Sequence, residues 1–407
     1  MRIVIVGAGV AGCVMARRLA LLEGVEVTCL ERVVRDDHSE AGTGLNVGPN
    51  AVKALRAIDP ELADSVTRAS YPWSNWRISL TDGTVLFDLP LTRVAEGPGW
   101  RIRWSELYRV LREAAPKVIY GCDIIRIGRD PADARKTEIE WVQDGKPHRL
   151  AAIDLLIAAD GRYSKVRRMI SGEPPVRHVG VSIFRVLVPD TSNGLIDDYE
   201  QWFNGPNRLL SFRVPPGHIY IAGTFPIAAE SPIADSFKQP DALRAAYTPK
   251  NAPPSAQARW LIDAICTNAA DTHWARMQEH EMLYRAEGCN VLYLGDAAHG
   301  MVPTLGQGAT QAIEDSATAA ELITQRHGSG DRDVVGWLSE MNALRSDRMR
   351  FVMEFSLAAT DTMLEGADPV AGTRHKTEPP FQEKLKALYR DVGLPLATSN
   401  APRRQTS

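Results

Sequence analysis

The sequence predicts an α/β fold: a Rossmann-like, three-layer domain around a mostly parallel sheet, an antiparallel-sheet domain inserted into it, and C-terminal helices. Three observations point there. The opening residues read as strand, glycine turn, helix and second strand. Two later apolar strands stop where an acid meets a glycine, at Asp160-Gly161 and Gly295-Asp296. Between them, from about residue 176 to 230, the texture changes to alternating aromatic segments broken by proline and glycine, as in RLLSFRVPPGHIYIAGTF.

In chain order, Ile3 to Val6 form a continuous apolar run, Val10 to Leu22 have helical spacing, and Val25 to Leu30 alternate, which makes a βαβ unit. NAVKALRAI reads as a helix. WSNWRISLTDGTVLFDL reads as a hairpin turning at Asp82-Gly83. RWSELYRVLREAA is an amphipathic helix, and TEIEWVQDGKPHRLAAIDLLIAAD is a hairpin followed by a buried strand. Residues 256–270 look helical, 290–295 form a strand, 309–326 a helix, and helical pattern resumes over 331–365 before one short helix and a polar tail. The expected division is 1–70, 96–175 and 280–365 for the first domain, 71–95 and 176–279 for the inserted one, and 366–407 for the C-terminal helix and tail.

Bulk properties exclude several function classes. With 407 residues, 44% apolar, 24% charged and a formal net charge of -3, nothing favours a polyanionic partner, so nucleic acid is not expected. Five scattered cysteines without a C-x-x-C or a histidine cluster read as reduced thiols, with no metal site. No apolar run approaches the roughly 18 residues of a membrane span, and MRIVIVGAGV lacks the order of a signal peptide. The expectation is a cytoplasmic protein without a membrane partner, as monomer or homodimer.

Gly7-x-Gly9-x-x-Gly12 follows a strand and opens a helix. Its glycines permit a tight turn, close approach of a pyrophosphate and close helix packing, with Ala11 among the small residues. The helix N-terminus then offers free N–H groups and a positive dipole end. Glu31, 19 residues after Gly12 and followed by Arg32, sits where an acid accepts hydrogen bonds from a ribose. The loop alone leaves FAD and NAD both open.

Asp160-Gly161 ends a buried strand, with Ser164, Val166 and Arg167 following; capping of the next helix by Asp160 is the alternative reading. NVLYLGD ends at Asp296, placed to meet a polar ligand at the carboxyl end of a sheet. PTLGQGA then brings Pro303, Gly306 and Gly308 to the start of a helix whose small face begins at Ala309. A positive helix end aimed at a ring that becomes anionic on reduction would stabilise the reduced form.

The order GxGxxG, Glu31-Arg32, Gly42-x-Gly44, Asp160-Gly161, and Gly295-Asp296 with Pro303 and Gly306-x-Gly308 resembles the single-component FAD-dependent aromatic hydroxylases, the para-hydroxybenzoate hydroxylase-like family, over residues 1 to about 325. GLNVGPNAVKALR, GDAAH and GQGATQAIED are most similar to its hydroxypyridine branch, such as 6-hydroxynicotinate 3-monooxygenase. The resemblance implies FAD as cofactor, NADH or NADPH as co-substrate, O2, and a small aromatic or heteroaromatic substrate hydroxylated through a C4a-hydroperoxide, with or without displacement of a ring substituent. It also implies that Glu31 binds the adenosine ribose, Asp160-Gly161 serves FAD and nicotinamide, Asp296 holds the ribityl chain, and Leu305 to Ala309 line the flavin.

The chain departs from that pattern. Trp104 stands where many members carry Arg, so neighbouring Arg103 is expected to take the flavin contact. Arg208 and Phe212 stand where hydroxynicotinate enzymes place His and Tyr, and Asn46 where they place another His, which argues for a different substrate.

The remaining candidates come from the residues. His299 is the acid–base candidate nearest the flavin, or a histidine bonding loop carbonyls. His218 and Tyr220 form a relay or are edge residues at a turn. Arg185, Arg208 or Arg213 binds a carboxylate bidentately, or each lies on a solvated strand face. Trp202, Phe203, Phe184 and Phe212 stack on a flat ring or fill the core. The competing classes are a flavin-dependent NAD(P)H oxidoreductase that never hydroxylates and a non-catalytic flavin-bound protein.

Overall fold

A computed structural model describes residues 1–35, 43–390 and 392; Gly42 of the Gly42-x-Gly44 pair and most of the polar tail lie outside them. The parallel sheet has the order Val291–Tyr293, Leu155–Ala158, Arg2–Val6, Glu26–Leu30, Val118–Ile119. Each neighbour is parallel. Ile3 to Val6 and Leu155 to Ala158 are buried throughout, which is why these strands read as unbroken apolar runs: helices or further chain cover both faces. Helices Val10–Leu19 and Gln307–Gly328 pack against each other. Small residues allow it, for Ala312, Ser316, Ala317 and Ala320 are all buried, and Ser316 Oγ turns its bond inward to Ala312 O at 2.7 Å.

A seven-stranded sheet has the order His273–His280, Val176–Pro189, His218–Pro226, Asn207–Val214, Tyr199–Asn204, Asn75–Leu80, Val85–Pro90. All its pairs are antiparallel except Tyr199–Asn204 with Asn75–Leu80. The early hairpin is thus spliced onto a sheet formed more than a hundred residues later. One face buries Phe184, Val186, Trp202, Leu209, Ile219 and Ile221 against helices Pro240–Tyr247 and Ala256–Thr267. The two-residue period of a strand sends the alternate positions the other way. Two three-stranded sheets complete the fold: Lys146–Ile153, Thr137–Gln143, Asp123–Arg129; and Gly44–Val47, Gly99–Arg103, Tyr71–Trp73.

Several elements were not legible in the pattern, and three of them have a clear physical cause. Pro60–Arg68 is a helix of nine residues, started by Pro at its first position and by Asp59, whose carboxylate accepts from Leu62 N at 3.0 Å. Pro240–Tyr247 is a second short helix, held by Leu243 and Tyr247. The strand His273–His280, HWARMQEH, carries few branched residues and is made by pairing with Val176–Arg185. The expected delay before the long helix is also interrupted, by a four-residue helix Asp296–His299.

Candidate active site

A cleft of about 710 Å³ runs from the first glycine loop to the seven-stranded sheet, a volume typical of small-molecule sites. Its first end is Gly9, Val10 and Ala11. Gly9 precedes helix Val10–Leu19 and leaves that N-terminus without a side-chain cap. Gly12 and Gly7 shape the loop from outside the cleft: a Cβ on Gly12 would sit 1.8 Å from Gly7 O, and one on Gly7, at φ +99°, 2.4 Å from Ala159 O. Gly44, Asn46, Gly161, Asp296, Pro303, Gly306, Gly308 and Ala309 line the middle. Here helix Gln307–Gly328 also starts uncapped, behind Gly306 in the left-handed conformation at φ 64°. Two helix N-termini with free N–H groups therefore face one elongated space, a lining that fits the phosphates and ring of a dinucleotide flavin.

The far wall is the open face of the large sheet. Arg208, Leu210 and Phe212 alternate on one strand, Tyr220 and Ala222 on the next, and Ile183 and Arg185 beyond it. Tyr199, Phe212 and Tyr220 form an aromatic row, with centroids 6.0 Å and 5.0 Å apart. Gly44 permits this wall to close in, since a Cβ there would lie 2.4 Å from Tyr220 Cβ. Burial pushes the hydroxyls of Tyr199 and Tyr220 up, so both stay protonated near neutrality and are able to donate. Arg208 is 3% exposed, burial pushes its guanidinium down, and its buried Nε has no hydrogen-bond partner. Among the described residues, Asp296 is the one carboxylate lining the cleft.

Other expected residues lie elsewhere. His299 is fully buried and does not line the cleft; its Nε2 contacts Asp315 Oδ2 at 2.6 Å. That carboxylate also accepts from Tyr284 Oη at 2.8 Å, Gly295 N at 3.1 Å and Arg345 Nε at 2.9 Å, so the ring bonds a buried carboxylate on the long helix rather than the loop carbonyls of the alternative reading. His218 sits at the start of its strand with Nδ1 against Pro216 O, out of reach of a relay with the cleft. Arg213 faces away, pairing with Asp197 at 3.1 Å and stacking over Tyr71. Phe184 and Trp202 fill the core beneath the sheet, and Phe203 the main core.

Besides Gly7 and Gly12, four expected cofactor contacts fall outside the cleft. Trp104 lines it where Arg103 was expected. Glu31 accepts from Ala8 N at 2.5 Å and Val33 N at 2.9 Å, bracing the glycine loop. Arg32 is exposed beside it. Asp160 accepts from Ser164 Oγ at 2.6 Å and Val166 N at 3.1 Å, and burial raises its carboxyl despite those bonds. It organises the turn into helix Lys165–Ser171, leaving Ala159 and Gly161 as the cleft surface.

The sequence reading missed Tyr199, Tyr108, Arg162 and Arg276, all cleft-lining. Arg162, next to Asp160-Gly161, donates to Gln278 O at 3.0 Å and Met301 O at 2.7 Å, joining the edge of the large sheet to the Asp296 loop. Its place in the motif was the available signal. Arg167, from the same motif, is buried and donates to Ala297 O and Ala298 O at 3.0 Å, which holds the Asp296–His299 turn from behind.

Fold and cleft define a nucleotide-cofactor oxidoreductase whose second sheet presents a ring-sized wall to the cofactor. No family model matches the sequence. The chain is 30% identical to 3-amino-4-hydroxybenzoate 2-monooxygenase of Streptomyces cremeus over 431 aligned residues, covering 99% of this chain and 98% of that one. It is 27% identical to 6-hydroxynicotinate 3-monooxygenase of Pseudomonas fluorescens, over 87% of this chain and 90% of the relative. Among solved structures, Klebsiella pneumoniae HpxO complexed with FAD and uric acid shares the fold, with a TM-score of 0.79 at 22% identity over 97% and 98% of the two chains. The chain belongs to the single-component FAD-dependent aromatic hydroxylases, the flavin monooxygenases that insert oxygen into aromatic rings.

Proposed function

We propose that this protein uses NADH or NADPH and O2 to hydroxylate a hydroxylated aromatic or pyridine ring that carries an anionic group. The observation behind the anionic group is Arg208: a buried cation in the ring-binding wall, without a carboxylate opposite it, is costly unless a ligand supplies the counter-charge. A planar guanidinium also matches a carboxylate bidentately.

Bound FAD supplies electron transfer from the nicotinamide and activation of O2. The chain's own residues do the rest. The two uncapped helix ends and the glycine loop would hold the pyrophosphate and the ring, and Asp296 the ribityl hydroxyls. Tyr199, Phe212 and Tyr220 stack on and orient the substrate, and the two phenols donate hydrogen bonds to a ring oxygen, favouring loss of its proton. Leu210, Ala222 and Ile183 exclude water.

The test is a panel of hydroxypyridines, hydroxybenzoates and nitrophenols offered to the purified yellow protein. Carboxylated hydroxyarenes are expected to stimulate NAD(P)H oxidation and to yield a product one oxygen heavier. Dye or quinone reduction without oxygen incorporation would sink the proposal. Asp296→Ala is expected to lose most of its flavin while keeping its fold, measured as the flavin-to-protein absorbance ratio; full retention of flavin removes Asp296 from the cofactor site.

A further inference from the structure

The wall that carries Arg208 has a second cation beside it. Lys376 lies on the turn His375–Thr377 and is 3% exposed. Its ammonium finds only Thr362 Oγ1 at 3.4 Å and Asp361 Oδ1 at 3.6 Å, both long for a strong bond. Asp361 is itself 42% exposed and is shared with His375 Nε2 at 3.8 Å. This segment packs on the cleft-facing side of the sheet: His375 meets Phe381 and Phe381 meets Trp76, the register partner of cleft-lining Tyr199. Thr360 Oγ1 meets Thr304 Oγ1, next to Pro303, at 2.8 Å, and Asp361–Met363 packs on the strand His218–Pro226 that presents Tyr220.

The charges do not balance. Arg185 and Arg208 line the cleft and Lys376 is buried beside it, while one half-exposed carboxylate, Asp361, serves both Lys376 and His375. Burial pushes the Lys376 ammonium down, Asp361 opposes this, and the charge of Arg208 pushes it down again. The geometry agrees: both cations lie on one face of the sheet, and Asp361–Met363 packs on the strand His218–Pro226 that pairs with the strand of Arg208. A lone buried lysine is ordinarily placed beside a full counter-ion, because its desolvation is otherwise uncompensated. Here the missing negative charge matches the one missing opposite Arg208.

We propose that Lys376 is a specificity-determining positioning residue: from beside the cleft, on the same face of the sheet, it adds a second positive charge to the field of Arg208, so that the cleft selects aromatic ligands bearing a carboxylate or an ionised ring hydroxyl over neutral ones. This rests on the anion-binding role given to Arg208 above. Lys376 does not touch the ligand. Its effect falls on charge discrimination, while flavin content and the stacking of the ring are left alone.

The test uses flavin-loaded wild type, Lys376→Met, Lys376→Gln and Lys376→Arg at pH 6.5. Each is titrated with 6-hydroxynicotinate and 4-hydroxybenzoate, and with the corresponding carboxamides, and read by perturbation of the bound flavin's visible spectrum. Lys376→Met is expected to weaken carboxylate binding about fivefold to tenfold and to leave carboxamide binding unchanged. Lys376→Arg, which keeps the charge, is expected to keep the wild-type preference for carboxylate; Lys376→Gln, which removes the charge but stays polar, is expected to behave as the methionine variant and carries the test alone if that variant does not fold. Equal changes for carboxylate and carboxamide, or none, overturn the role of Lys376. A wild type that binds neither carboxylate more tightly than its amide overturns instead the reading of Arg208.

Discussion

Arg345→Met is expected to destabilise the protein by about 3–5 kcal/mol and to lower its flavin content, measured by urea unfolding and by flavin absorbance. Arg345 is 1% exposed in its side chain and donates to Asp315 Oδ1 at 2.9 Å, Glu314 Oε2 at 3.0 Å and Gln311 Oε1 at 2.7 Å. Glu314 and Asp315 are fully buried. Removing one partner of such a cluster leaves uncompensated charge in a low-dielectric interior, which costs far more than any surface pair. Arg350→Met is the control: Arg350 is 57% exposed and pairs only with Asp347, so a change within about 1 kcal/mol is expected.

Flavin suffers because the cluster fixes the cofactor loop. Asp315 holds Gly295 N and His299, while Asn50, which donates to Glu314, also reaches Gln307 at the start of the long helix. The same cluster sets an acid limit. Burial alone would raise the Asp315 carboxyl, but His299 and Arg345 outweigh it and hold it at about 2. A folded-state value below the ordinary aspartate value of about 3.9 stabilises the fold above that pH. The stabilisation is lost as pH falls from there toward about 2. In Arg345→Met the acid transition is expected to move to higher pH.

Arg208→Gln is expected to raise the dissociation constant of a carboxylated hydroxyarene by about 30-fold or more, from the roughly 2–5 kcal/mol attached to truncating one member of a buried charge pair. Flavin content is expected to stay normal. Arg208→Lys keeps the charge but loses the two-pronged geometry, and an intermediate loss is expected. If neutral and anionic arenes weaken alike, Arg208 is packing the wall and not reading charge.

The cofactor half of the site was legible because its requirements are local. A glycine loop between strand and helix, and a strand ending at Gly295-Asp296, are chain-continuous devices, and Gly9, Gly44, Gly161, Asp296, Gly306 and Gly308 meet in one cleft. The substrate wall was only half legible, because it is assembled from strands far apart in sequence. Two-residue alternation shows that Phe184 and Arg185 face opposite ways, but not which face meets the cofactor; that follows from helices Pro240–Tyr247 and Ala256–Thr267 covering one side. The partner of His299 was hidden for a related reason. Its neighbours in sequence are cofactor residues, yet its ring points to Asp315, a partner 16 residues away on the next helix. Lys376 carried no signal at all, since a lysine in a C-terminal turn is ordinarily solvated.

The parallel pairing of Tyr199–Asn204 with Asn75–Leu80 constrains how the chain is made. The hairpin at 75–90 leaves the ribosome with its partner strand still unsynthesised, and the five-stranded sheet waits for Val291–Tyr293 to occupy its edge. Neither sheet is finished until more than two thirds of the chain exists. Such long-range pairing slows folding and leaves strand edges exposed meanwhile. Neither half is a unit to be expressed by itself, and a fragment that stops short of residue 291 is expected to aggregate.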